Sequence, residues 1–198
     1  NDAALNMSGL TTFYANLGLG TFRVGDPTNT TGTAVAGSTL RLAKSSTIIA
    51  TDITTDTPNS GVTNYIYLGD TANILNATNL TMSGASRASS QLVWDAGVTT
   101  GTFKLRGLDG LAASRASTFT VAYGAGATSS ALTGVVNLAG HDSDILVTTL
   151  SIGGSSAASG SSCATTAAAT LRCRPPIRRF APTSRPATPS RCVCGMPM

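Results

Sequence analysis

The sequence predicts an all-β protein. Its expected architecture is a right-handed parallel β-helix over residues 1–160, followed by a disordered or weakly helical tail over 161–198. Three observations carry this expectation. Short strand-like blocks recur and mostly end at glycine, two stretches of the chain echo other stretches, and the dipeptides that make tight hairpins are scarce.

The blocks come in order. Leu40–Ala43, Tyr65–Gly69, Leu80–Gly84 and Gln91–Gly97 are followed by Phe103–Gly107, Phe119–Gly124, Val136–Gly140 and Leu150–Gly154. Each alternates apolar with polar or small residues over four to six positions, the period of a half-buried strand. No amphipathic helical period survives over an 11-residue window of the body.

The first echo is Ala-Ser-Arg-Ala-Ser, at residues 85–89 and again at 113–117, each leading into a strand and a glycine. Read as one turn of a helix of strands, this 28-residue spacing places Arg87 and Arg115 at one corner of adjacent coils. Their guanidinium groups would then cap corner carbonyls. It also places Trp94 and Tyr123 nearly in register, as a core stack or as an exposed aromatic platform for a partner. The alternative for the arginines is a ligand-binding row. The second echo pairs residues 65–84 with 135–154: strand, glycine, turn with Asp, Ile-Leu, spacer, then Leu-X-Met or Leu-X-Ile and glycine. Asp109-Gly110 is the only Asn-Gly or Asp-Gly dipeptide, so two-residue hairpins are not the main connection. Stacked parallel strands satisfy all three observations, with Leu, Ile, Val and Phe inward and Gly, Asn, Asp and Ser at corners.

These Leu-X-Leu/Ile-Gly strands, Ser-Arg-Ala-Ser corners and Ser/Thr/Gly/Ala spacers resemble the strand repeats of autotransporter passenger domains and related bacterial surface proteins. The resemblance covers roughly residues 17–155. It implies an extracellular or cell-surface stalk, often adhesive, without enzymatic residues of its own. The implied partner is a surface glycan, matrix or protein, with self-association along the solenoid a further mode.

Charge divides the chain. Of 13 Lys and Arg against nine acids, all of them Asp, residues 163–198 hold six Arg and no acid. The body is therefore mildly acidic and calls for no nucleic-acid or membrane partner. No stretch approaches the roughly 18 apolar residues of a membrane span. The tail also holds all four Cys and six of the eight Pro. Its composition cannot bury a core, and only 164–171 suggests a short helix. Cys163, Cys173, Cys192 and Cys194 lack zinc-ligand spacing.

For chemistry, the only histidine lies in Gly140-His141-Asp142-Ser143-Asp144. It reads as an acid–base or metal cluster, or as a turn where Gly, Asp and Ser belong for backbone reasons. The remaining aspartates fall mostly in turns and show no two-Asp motif at a repeat period. Neither a catalytic set nor a metal or cofactor is assigned. A polysaccharide-active β-helix enzyme and an ice-binding protein, the latter from Thr-X-Thr pairs such as Thr118–Thr120, stand as alternatives. Asn6, Asn29, Asn76 and Asn79 open glycosylation sequons.

Overall fold

Parallel strands in two sheets make up the computed structural model, which describes residues 3–25, 37–56, 62–84, 89–125, 133–156 and 168–172. In chain order the strands are β1 (Ala4–Asn6), β2 (Thr12–Asn16), β3 (Thr21–Val24), β4 (Thr39–Arg41), β5 (Ser45–Thr55), β6 (Thr63–Leu68) and β7 (Ala72–Met82). Then follow β8 (Ser89–Trp94), β9 (Thr102–Arg106), β10 (Ala116–Ala125), β11 (Thr133–Asn137), β12 (Asp142–Ile145), β13 (Val147–Ser156) and β14 (Ala168–Arg172). A six-stranded sheet runs β1-β4-β6-β8-β11-β14, and the other eight strands form the second sheet. The described residues contain no helix, and neither sheet closes on itself.

The chain alternates between the sheets, and each strand pairs in parallel with its counterpart in the next pass. In the six-stranded sheet, Leu40, Ile66, Leu92 and Val136 stand in one column. In the larger sheet, Ile53, Leu80, Phe119 and Leu150 do the same. Alternation along each strand turns these columns inward, and all but Leu150 are buried. Such near-continuous burial of aliphatic columns is what a parallel sheet covered on its inner face requires.

The passes differ in length. From β4 to β6 and from β6 to β8 the register steps by 26 residues (Thr39 to Tyr65 to Gln91), but from β8 to β11 it steps by 44 (Gln91 to Val135). Strand β7 accounts for half of the difference. Its first half pairs with β9 and its second half with β10, so a loop inserted between β9 and β10 lengthens the pass, and longer connections from β8 to β9 and from β10 to β11 supply the rest. The 28-residue echo is therefore not the repeat. The strands its two copies enter, β8 and β10, lie in different sheets, and residues 91–96 do not pair with 119–123. The second copy is a small-residue turn that leads into β10; of the first, only Ser89, which opens β8, is among the described residues. The 65–84 and 135–154 echo does follow the register, two passes apart.

Buried polar side chains hold the corners. Asn73 accepts from the Gly69 N–H over 2.8 Å and donates to the carbonyls of Gly69 and Thr102. A Cβ at Gly69 would lie 1.9 Å from the Ala43 carbonyl oxygen, so the turn is open only to glycine. At the far end of the larger sheet, Ser83, Ala122 and Gly153 follow Met82, Val121 and Ile152, which share one column, and all three have left-handed φ (61°, 54° and 67°). Ser83 donates its hydroxyl to the Thr133 carbonyl over 3.0 Å, tying this corner to the six-stranded sheet.

Of the tail, only 168–172 is described. It is strand β14, paired with β11, rather than part of the short helix expected over 164–171. The free edge of β11 offers ladder partners that an isolated alanine-rich helix lacks.

Candidate partner-contact face

The sequence-selected residues separate in the structure. Arg87 lies outside the described residues. Arg115 is exposed and its Nη1 donates to the Val147 carbonyl in the following pass over 3.3 Å. Tyr123 pairs through its backbone with Gly154, not with the strand that holds Trp94. Trp94 ends β8 in register with Leu68, and its indole reaches the turn before β12, where it stacks on His141.

That stack accounts for the lone histidine. The two ring centroids are 3.8 Å apart with planes inclined by 21°, and His141 is buried. The indole also meets Gly101, where a Cβ would lie 2.9 Å from Cζ3 and where φ is +123°. Trp94 Nε1 and His141 Nδ1 are buried without a hydrogen-bond partner among the described residues. Asp144 does not join His141 in an acid–base set. It pairs with Arg106, whose Nη1 also donates to the carbonyls of Leu105 and Asp144 at 2.8 and 3.0 Å. Arg106 is 4% exposed and Asp144 62%, so a buried cation is held by a carboxylate at the surface. Among the described residues no group of three His, Cys, Asp or Glu is placed to hold a metal ion.

Two of the sequons fall where the chain is packed. Asn76 is buried, and Asn79 sits mid-ladder: its Nδ2 donates to Asp52 over 2.8 Å, and its Oδ1 accepts from the Thr118 hydroxyl over 2.9 Å. Thr118 of the Thr118–Thr120 pair thus belongs to a side-chain ladder that spans β10, β7 and β5.

An aromatic face emerges elsewhere, on the outer side of the six-stranded sheet. Alternation in β6 turns Asn64, Ile66 and Leu68 inward, which leaves Thr63, Tyr65 and Tyr67 outward and half-buried. The tyrosine rings are parallel within 7°, with centroids 5.6 Å apart. The register sets Tyr65 between Thr39 and Gln91, and Tyr67 between Arg41 and Val93. The Arg41 guanidinium lies 4.1 Å from the Tyr67 ring centroid and is ion-paired with Asp95. The bond to Asp95 raises the Arg41 pKa. Sequence reasoning passed over this face, although the alternation in Tyr65-Ile66-Tyr67-Leu68 already separates the tyrosines from the core residues.

A second polar feature is the loop between β9 and β10. Gly107 N–H bonds to the Ser114 carbonyl, Gly110 to Gly107 and Ser114 to Leu111, so the loop closes on itself. The Ser114 hydroxyl and the Leu111 N–H hold the Asp109 carboxyl below the usual carboxylate range.

Comparison with known protein families, curated proteins and solved structures returns no match.

Proposed function

We propose that this chain is a non-catalytic structural or adhesive module of a cell surface or extracellular matrix, built as a right-handed parallel β-helix that displays its outer faces to a partner. One observation carries the reading: the column Leu40, Ile66, Leu92 and Val136, which keeps one parallel register through four successive passes with its side chains buried. Alternation between two sheets with inward aliphatic columns supports a solenoid, whose extended surfaces serve recognition. The resemblance to autotransporter passenger repeats points to the same class of protein and to the same location.

The fate of the charged side chains supports the non-catalytic reading. Asp52, Asp56, Asp95 and Asp144 each bond to a neighbouring side chain that completes a turn or ties two passes together. A general acid or base needs a carboxyl free to exchange its proton with substrate.

The test is incubation of the full chain with a panel of polysaccharides, with and without calcium, followed by chain-length analysis. No turnover is expected. Turnover abolished by Asp142→Asn, with the fold retained, would overturn the reading. Asp142 serves this purpose better than Asp144, whose loss disturbs Arg106.

A further inference from the structure

The geometry points to a binding site for a neutral glycan on the outer face of the six-stranded sheet, centred on Tyr65 and Tyr67. This rests on the adhesive reading above and names the ligand class.

Three features select the ligand. The rings stack on each other on the outer side of the sheet, and with Arg41 over Tyr67 it is the half-buried Tyr65 ring that keeps a face for a ligand; the π-face of a tyrosine carries negative charge that attracts the C–H face of a sugar ring. Tyr65 is flanked in register by Thr39 and Gln91, so hydroxyl and amide groups lie beside the ring that would stack. Sugar hydroxyls project from the ring edge, where such groups meet them as donors and acceptors.

Charge decides between neutral and acidic glycans. Arg41 would attract a uronate or sulfate if it were free, but Asp95 neutralises it and Tyr67 covers its plane. An anionic ligand would have to break that pair and leave Asp95 facing it, a like-charge contact that works against binding. A neutral ligand gains the aromatic contact without that penalty. Arg41 is in this account a positioning residue that fixes the orientation of Tyr67.

The experiment is affinity gel electrophoresis of the full chain through gels containing neutral polysaccharides (a β-glucan, a xylan, a galactomannan) or polygalacturonate. Retardation is expected in at least one neutral gel and not in polygalacturonate. Tyr65→Ala and Tyr67→Ala should each weaken it at least tenfold, with the circular dichroism spectrum unchanged. Tyr14→Ala, an exposed tyrosine on β2 in the other sheet, should leave retardation as it is. Retardation in no neutral gel, retardation confined to polygalacturonate, or retardation insensitive to both substitutions would overturn the inference. Shortening of the polysaccharide would instead contradict the non-catalytic reading, so the two failures are distinguishable.

Discussion

Trp94 stacks on His141 across two successive passes of the chain, ring centroid to ring centroid at 3.8 Å. They are the only tryptophan and the only histidine in the sequence, so the emission of one side chain reports this single contact. His141→Ala removes the stacking partner of the indole and opens a cavity beside it. The expected cost is about 2 kcal/mol, from the aromatic pair and the lost packing together, read by chemical denaturation. Trp94 emission should shift to the red. An unshifted spectrum would show that the stack does not persist in solution.

Gly101 leaves room for the indole. Gly101→Ala meets both a positive φ and the indole edge, and should destabilise by about 1–3 kcal/mol with a change in Trp94 emission. At Ala122, where φ is 54°, the same reasoning runs in reverse. Ala122→Gly relieves a left-handed alanine and should be neutral or stabilising by up to about 1 kcal/mol, because Gly153 already occupies the equivalent place in the next pass.

Position along a column sets the cost of truncation. Phe119→Ala deletes a ring packed between the passes and should cost about 3–5 kcal/mol. Leu150→Ala, in the same column but 44% exposed on β13, should cost less than about 1 kcal/mol. Equal losses at the two positions in urea titrations would contradict the inward assignment of the column.

Arg106 and Asp144 should respond unequally to substitution. Asp144→Ala leaves a buried guanidinium with only two carbonyl acceptors and is expected to destabilise by about 1–3 kcal/mol. Arg106→Met removes the buried charge and keeps most of the packing volume. The double variant should therefore be more stable than Asp144→Ala alone, an outcome that a thermodynamic cycle reads directly.

The loop between β9 and β10 should be acid-sensitive through Asp109. Its carboxyl has a folded pKa below the unfolded value, so its contribution is complete above the ordinary Asp range near pH ~4 and is lost as pH falls through the lower folded value. Proteolysis of the loop should rise over that acid interval in the parent. In Asp109→Ala the loop should be equally susceptible at neutral pH, and acid should add little. A parent loop indifferent to acid would contradict the assignment.

Much of the strand content was legible from alternation and closing glycines, because a strand with one buried face must repeat every two residues. The echo between 65–84 and 135–154 carried the true register: Ile66 and Val136 share a column, as do Leu80 and Leu150. The Ser-Arg-Ala-Ser echo misled because a turn of small residues before a strand serves either sheet equally well. Its spacing spans two strands, β8 and β9, and the loops that follow them, rather than a full pass. The outward tyrosine face was harder to see. Trp94, the largest side chain, drew attention outward, whereas its size is used to fill the corner against His141. Side-chain identity does not disclose which of two aromatic sets faces solvent. The parity of each strand relative to its aliphatic neighbours does.

The central claim is the parallel register of successive passes, and nuclear Overhauser contacts in isotope-labelled protein test it most directly. Cross-strand contacts of parallel pattern are expected to join 90–93 to 134–137, and 79–82 to 118–121. Contacts between 91–96 and 119–123, or an antiparallel pattern between any of these strands, would contradict it.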